Sequence, residues 1–336
     1  MQTETIFEGL KRFNHQIDQL EILLVLATAT KNPALTLYKS KSRQVLFNLE
    51  ALCRIYKNLH NKKRFERMLL AFKTLEDQLG KIDYYDSYIE EFIPQANFPK
   101  VLLDNLTSHY HQELENLDKI LKNERWIDED QTKLNTIKME LAAASWKSAK
   151  KDRKKITKFL IEEIDKIEED YKNGVLNFAD LEHGVHEFRR QIRWISIYAL
   201  VLNGLIQLKP ELEIKPELEK YLTKETINNP FNILPEAKEG IEPIYINASY
   251  FYALSWLIAK VGDLKDEGLR IICLETALKE TAFVEERKIK KETKILARNN
   301  HQSPSRIKKE MKILADYFMF KAQVLSHIKS DIGNAI

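Results

Sequence analysis

Cysteine, glycine and proline are scarce in this sequence, which has 2 Cys, 9 Gly and 9 Pro among 336 residues. So few glycines and prolines, together with many Leu, Lys, Glu and Ile, favour long helices joined by few turns. Cys53 and Cys273 both lie in apolar, helix-like contexts. This placement indicates buried free thiols in a reducing compartment rather than a disulfide or a metal site.

Long apolar runs are also lacking, since no uninterrupted stretch reaches the ~18 residues of a membrane span. The N-terminus M-Q-T-E-T-I-F-E-G-L-K-R does not have the composition of a signal peptide. We therefore expect a cytoplasmic protein that does not contact a membrane. The 53 Lys and Arg residues against 50 Asp and Glu residues leave a net charge of +3. The total charge thus gives no indication of a nucleic-acid partner.

Signatures of enzymes and of metal sites are absent from the sequence. It contains no Gly-x-Ser-x-Gly, no Cys-x-x-Cys, and no Rossmann or P-loop motif. The segment Glu211–Lys215 fits the Glu-x-Glu-x-Lys pattern of triphosphate tunnel enzymes, but it lies between Pro210 and Pro216 in a helical protein. Glu-x-x-His, which marks di-metal helical bundles, occurs at none of the 8 histidines. We expect no catalysis, no cofactor and no bound metal.

One helix, predicted over residues 180–208, has two opposed faces. Its apolar positions recur at spacings of three and four, which predicts a face packed against a neighbour: Val185, Phe188, Ile192, Ile195, Ala199 and Leu202. A second set with the same kind of spacing lies on the other side of the helix and is basic: His183, His186, Arg190 and Arg193, with Arg189 at its edge.

The rest of the chain is predicted to be helical as well. The principal predicted helices cover residues 6–26, 34–59, 63–92, 101–121, 130–171, 178–208, 248–260, 264–280, 282–298 and 305–328. Five of the prolines lie between Pro210 and Pro243, which predicts a surface insertion at about 209–247 with at most a short helix. Strand-like composition occurs only briefly, at Ile244–Ile246.

The two halves of the chain are similar to each other. Leu75–Asp86 and Leu257–Gly268 each place an isolated glycine, Gly80 or Gly262, after an apolar helical turn. Counting helices outward from each glycine gives the same order in both halves. The sequence therefore predicts an all-α protein made of two similar antiparallel four-helix units plus an N-terminal helix. The predicted units are residues 1–173 and 174–336, with the seam near Gly174.

Two further basic stripes have the helical offsets 0, 3, 4, 7 and 11. They are Lys147, Lys150, Lys151, Lys154 and Lys158, and Arg287, Lys290, Lys291, Lys294 and Arg298. Like charges at such spacings destabilise an isolated helix by a few tenths of a kcal/mol per pair. Their repetition indicates an anionic partner, which is either a ligand or a set of facing carboxylates, and the alternative is a charged face that is only solvated.

These features together resemble the CHAD family (conserved histidine α-helical domain). The family signature is His, Arg three residues on, a basic residue seven on, Arg ten on and an aromatic eleven on. His183, His186, Arg190, Arg193 and Trp194 fall on those offsets, with His186 at the place of the Arg. Gly262-Asp263-Leu264-Lys265-Asp266 is similar to the family's later turn. In the first half, Arg43 stands at the Arg place, Ser40 at the His place, and Phe47 and Glu50 at the later basic places.

The resemblance is to a divergent member with a degenerate first half, and it implies a non-catalytic module that binds inorganic polyphosphate or another phosphate-rich polyanion. The expected ligand residues are His183, His186, Arg189, Arg190, Arg193, Lys147, Lys150, Lys151, Lys154, Arg287, Lys290, Lys291, Lys294 and Arg298. Nucleic acid is expected to bind at most non-specifically, because no aromatics alternate with the basic residues to stack on bases. The alternative is a helical scaffold for protein–protein interaction that has lost the phosphate ligand.

Overall fold

The structure is a computed structural model that describes residues 7–209, 215–297 and 302–335. The predicted all-α class is confirmed. The α-helices are α1 (Glu8–Thr28), α2 (Pro33–Lys39), α3 (Ser42–Leu59), α4 (Lys62–Phe92), α5 (Lys100–Asn123), α6 (Thr132–Ala142), α7 (Ala149–Lys172), α8 (His186–Val201), α9 (Pro216–Glu219), α10 (Lys224–Ile227), α11 (Ala248–Glu280), α12 (Ile289–Leu296), α13 (Pro304–Asp316) and α14 (Val324–Gly333). Two short strands complete the fold, β1 (Ile206–Lys209) and β2 (Ile244–Asn247). Among these helices, none is both long enough and apolar enough to span a bilayer.

Several helix ends have the capping residues that the sequence indicates. The Asn32 side chain accepts a hydrogen bond from the backbone N–H of Leu35, and Pro33 occupies the first turn of α2. Ser303 caps α13 in the same way through the backbone N–H of Arg306. Gly174 follows α7 with φ 72°, the left-handed conformation that commonly ends a helix at glycine.

Three helices predicted as continuous are interrupted in the structure. The predicted helix 305–328 breaks before α14 at Gln323, which adopts a left-handed conformation with φ 48°. The predicted helix 34–59 breaks into α2 and α3 at Lys41, which adopts a left-handed conformation with φ 59°. The predicted helix 130–171 consists of α6 and α7, separated by residues 143–148. In that gap Trp146 is buried and its indole Nε1 donates to the backbone carbonyl of Leu141. Burial of this ring explains the break, because the chain leaves the helical path to place it in the core.

The break at Lys41 leads to a stability prediction. A left-handed residue with a β-carbon costs about 1–2 kcal/mol, so we expect Lys41→Gly to raise the free energy of unfolding by up to about 1 kcal/mol. Lys41→Ala is the control, because it removes the long side chain but retains the β-carbon. Urea denaturation should separate the two variants, and equal stabilities would contradict the explanation.

Elsewhere the structure joins or shortens predicted helices. The segments predicted at 248–260 and 264–280 form the single helix α11, which continues through Gly262. The helix predicted to reach Leu208 ends at Val201, because Asn203 and Gly204 take positive φ values of 50° and 95°. The prediction was wrong there because an apolar run fits a buried strand as well as a helix.

The predicted insertion at about 209–247 is bounded by strands. β1 pairs in parallel with β2, with Ile206 opposite Ile244 and Lys209 opposite Asn247. Between the strands lie α9, α10 and a short 3₁₀ turn at Pro230–Asn232. The segment Glu211–Ile214 and Pro210 lie outside the described residues. The strand predicted at Ile244–Ile246 is confirmed as β2.

The chain divides into two compact units. Residues 1–148 and 272–299 make the first, and residues 149–271 and 300–336 make the second. Helix α11 therefore belongs to the second unit up to Ile271 and to the first unit from Ile272. The boundaries of these units differ from those of the predicted units, residues 1–173 and 174–336. The predicted units stay a prediction based on internal similarity.

Each unit has its own aromatic core. In the first unit, Phe13, Tyr56, Phe65 and Trp146 contact one another with ring centroids 5.3–6.2 Å apart. In the second unit, α7 packs against α14 and α8. There the rings of Tyr171, Phe178 and Phe188 lie together with centroids 5.4–6.2 Å apart. Phe188 belongs to α8, so this core fixes the helix that carries the predicted basic residues.

Candidate functional site

Helix α8 buries its apolar face, as its spacing predicts. Val185, Phe188, Ile192, Ile195, Ala199 and Leu202 are all at most 3% exposed. A π-helical turn, Leu181–Val185, leads into the helix. Two glycines allow other segments to approach this turn closely. A β-carbon on Gly184 would lie 2.4 Å from the carbonyl oxygen of Asn177, and one on Gly268 would lie 2.5 Å from Leu181. The rotation of α8 is thus set by its core face, and its basic residues point away from it.

The basic residues of α8 form a cluster with one lysine of α11. Burial and, after it, the positive charges of Lys265, Arg190, Arg189 and Arg193 together lower the pKa of His186 to about 4. The charged groups that act most strongly on this imidazole are thus all cations. Hereafter we call His186, Arg189, Arg190, Arg193 and Lys265 the cationic cluster. It lies entirely within the second unit.

The cluster is held in place by the helices that carry it. Arg189 donates from Nε to the backbone carbonyl of Ile258 at 3.1 Å, and its guanidinium lies on Gly262 of α11. A β-carbon on Gly262 would be 3.0 Å from that Nε, so glycine permits the close approach. The Lys265 side chain is only 16% exposed. Cations fixed on packed helices lose little conformational freedom when they bind an anion.

Two carboxylates contact the edge of the cluster. Glu187 accepts from Nη2 of Arg190 at 2.5 Å and also from Nε2 of Gln191 at 2.6 Å. Asp266 lies 2.9 Å from Nζ of Lys265, but its side chain is 67% exposed. An exposed ion pair contributes at most about 1 kcal/mol and is readily replaced by another anion. Glu187 and Asp266 have side chains that are 26% and 67% exposed, so an incoming anion can compete with both for the cations.

The stripe predicted from Lys147 is only partly a helix face. Lys147 precedes α7, whereas Lys150, Lys151 and Lys154 are exposed on that helix. Lys158 is paired with Glu162 at 3.5 Å. No carboxylate partner for Lys150, Lys151 or Lys154 is found in the described part of the chain. These three lysines stay predicted ligand residues on an open surface.

The stripe predicted from Arg287 belongs to the first unit. Arg287 lies in a 3₁₀ turn, where its Nε is 2.6 Å from Glu285. Lys290, Lys291 and Lys294 are exposed on α12. Arg298 and the side chain of His183 lie outside the described residues. The structure thus brings together four of the predicted ligand residues, those of α8, and adds Lys265 to them.

Lys265 is the residue that sequence reasoning left out of the site. Its signal is its position three residues after Gly262, inside the turn that resembles the CHAD family. In α11 this spacing puts Lys265 one helical turn from the glycine on which Arg189 lies. The described residues contain no group of three His, Cys, Asp or Glu side chains that could hold a metal ion.

No protein-family model matches this sequence, and no curated protein or solved structure was found to be similar to it.

Proposed function

We propose that this protein binds a phosphate-rich polyanion through the cationic cluster of its second unit, with inorganic polyphosphate as the preferred ligand. The observation that carries the proposal is the environment of His186, whose strongest charged neighbours are four cations. Bringing these groups together opposes folding, and a bound anion would offset that repulsion. The resemblance to the CHAD family supports polyphosphate in particular.

The chemistry of the cluster suits phosphate oxygens. Three of its members are arginines, whose planar guanidinium groups can make two parallel hydrogen bonds to a phosphate. Arg190 is 41% exposed, so it can exchange Glu187 for a ligand. His186 is uncharged near neutral pH and can donate a hydrogen bond without adding charge. Binding would release counterions from the polyanion and should weaken as salt increases.

The proposal is tested by calorimetric titration of the full chain with polyphosphate of defined length, at low and at near-physiological salt. A single-stranded nucleic acid of similar total charge serves as the control. We expect salt-sensitive binding that prefers polyphosphate. Equal affinity for the two polyanions would reduce the site to a generic basic surface, and binding of neither would reject the proposal.

A second prediction uses His186 as a reporter. In the free protein its imidazole should titrate with a pKa of about 4, because burial and four neighbouring cations disfavour the charged form. A bound polyanion adds negative charge beside the ring, so its pKa should rise on saturation. NMR of the imidazole protons during a pH titration, with and without polyphosphate, measures the change. An identical pKa in the two states would place the ligand elsewhere.

The scaffold function gains some support from α1. Ile22, Val25 and Leu26 are each more than half exposed there, with exposed fractions of 60%, 53% and 53%. Apolar side chains at such spacing form a face that a partner helix could cover. If polyphosphate and nucleic acid both fail to bind, the scaffold becomes the better proposal.

A further inference from the structure

The first unit contains the same contact between an arginine and a helical glycine that builds the cationic cluster in the second. Arg43 of α3 lies on Gly80 of α4, where a β-carbon would be 2.8 Å from Nη2 of the arginine. Arg189 of α8 lies on Gly262 of α11 at 3.0 Å by the same measure. In both units a guanidinium from one helix covers a glycine in a helix of more than 30 residues.

The partners of the two arginines occupy matching positions in the two long helices. Four residues before the glycine, Glu76 accepts from Nε of Arg43 at 2.6 Å, and the backbone carbonyl of Ile258 accepts from Nε of Arg189 at 3.1 Å. Three residues after the glycine stands Asp83 in the first unit and Lys265 in the second. Asp83 accepts from Nη1 of Arg43 at 2.9 Å.

Counting from the arginines reveals the difference in charge. Arg190 and Arg193 of α8 correspond to Gln44 and Phe47 of α3. The Phe47 ring lies 5.4 Å from the Arg43 guanidinium. The structure thus matches Arg43 to Arg189. The sequence comparison had matched Arg43 to His186, which is three residues earlier in α8. At the first-unit positions that match Arg189, Arg190, Arg193 and Lys265, the only cation is Arg43.

We infer that the first unit holds a second copy of the anion site, in which the carboxylates of Glu76 and Asp83 take the place of the bound anion. Each chain would then bind a small anion at one place, in the second unit. This inference rests on the proposed function for the identity of the ligand. Beyond that function, the inference gives the number of anion sites in each chain and names the carboxylates that block the first-unit site.

The geometry of the first unit explains why an external anion does not displace the carboxylates. The Glu76 side chain is 8% exposed, whereas that of Arg43 is 39% exposed. A carboxylate tethered to the neighbouring helix acts at a high effective concentration, so a free ligand competes poorly with it. Asp83 then covers the exposed side of the guanidinium. Together the two acids more than balance the single positive charge of Arg43.

Opening the first-unit site needs two substitutions in α4. Asp83→Lys supplies the counterpart of Lys265, and Glu76→Gln removes the buried charge while keeping a polar group beside Arg43. The matched control is Glu66→Gln with Asp77→Lys, which makes the same two chemical changes on the same helix, at side chains that are 44% and 51% exposed. Circular dichroism checks that each variant folds. The probe is inorganic tripolyphosphate, a short polyanion, titrated into the full chain by calorimetry.

We expect one binding site in the natural chain and in the control, and two in the Glu76→Gln, Asp83→Lys variant. An unchanged stoichiometry in a folded variant would overturn the inference and leave the proposed function intact. Two sites in the natural chain would overturn it as well. No binding to the natural chain, together with binding to the variant, would support the closed site in the first unit and reject the proposed function. No binding to either would overturn both.

Should the double variant not fold, Asp83→Lys alone is informative, because Asp83 is 55% exposed. With Glu76 still in place, we expect this variant to bind tripolyphosphate weakly at the new site, at least about tenfold less tightly than at the second-unit site. This is the loss expected when a competing charged hydrogen bond of about 1.4 kcal/mol or more is retained. A new site as tight as the natural one would contradict the role given to Glu76.

Discussion

Replacing Arg190 and Arg193 together with glutamine should weaken polyphosphate binding at least about a hundredfold. Each charge-assisted hydrogen bond is worth about 1.5–3 kcal/mol, and every 1.4 kcal/mol is a factor of ten in affinity. Both residues act on the same imidazole, that of His186, so the pair removes two of the four cations that act most strongly on it. Calorimetry at a fixed salt concentration measures the loss, and the slope of affinity against salt should fall at the same time.

The matched control for this variant is Lys166→Gln with Lys172→Gln on α7. It makes an equal change in net charge within the same unit, at exposed lysines outside both the cationic cluster and the predicted basic stripes. We expect a loss of less than about threefold, because an exposed charge outside the site is largely screened by salt. Equal losses in both variants would show that binding follows total charge. A folded Arg190→Gln, Arg193→Gln variant that binds as before would remove the cationic cluster from the site.

The same substitutions predict an effect on His186 itself. Removing two of the four cations should raise the pKa of this imidazole above its value of about 4, because the charged form is then repelled less. NMR can follow this pKa without any ligand. A change in the pKa together with a loss of affinity would link the local potential to binding. A loss of affinity with an unchanged pKa would indicate that the ligand was lost for another reason.

The apolar face of α8 could be predicted from the sequence because it depends only on the spacing of residues along one helix. The apolar residues of this face, from Val185 to Leu202, recur at spacings of three and four residues, and each of them is buried. The approach of Lys265 to His186 depends on packing between α8 and α11, which are distant in sequence, and no periodicity within either helix reveals it. The sequence therefore predicted the members of the cluster on α8 but not Lys265 on α11.

Two errors in helix boundaries fall at residues whose conformation runs against their propensity. Lys41 breaks a helix although glycine, not lysine, is the usual left-handed residue. Gly262 lies inside α11 although a glycine there costs about 1 kcal/mol relative to alanine. In the second case the cost is offset by the close packing of Arg189. At Gly262 tertiary packing decided the outcome, and propensities along a single sequence do not contain it.

The second large effect concerns stability, and we expect Glu50→Gln to stabilise the protein strongly at alkaline pH. Glu50 lies on α3, is 2% exposed, and has no hydrogen-bond partner for its Oε1 in the described part of the chain. Burial and, after it, the neighbouring charge of Glu76 together raise the pKa of its carboxyl from 4.5 to about 8. Arg54 and Lys73 act in the opposite direction but do not overcome burial.

The sign of the pH dependence follows from proton binding. Between pH 4.5 and about 8 the folded protein holds a proton on Glu50 that the unfolded chain has released. Stability therefore falls as pH rises through this range, and the full cost is present above pH 8. Each unit of pKa difference corresponds to about 1.4 kcal/mol, so the cost is on the order of a few kcal/mol. Glutamine has nearly the same shape and cannot ionise, so the variant avoids this cost.

Urea denaturation at pH 5 and pH 9 should show this directly. The Glu50→Gln variant should gain a few kcal/mol over the natural chain at pH 9 and little at pH 5. Glu66→Gln, at an exposed residue of α4, is the control and should follow the natural profile at both pH values. Parallel profiles for Glu50→Gln and the natural chain would contradict the assignment.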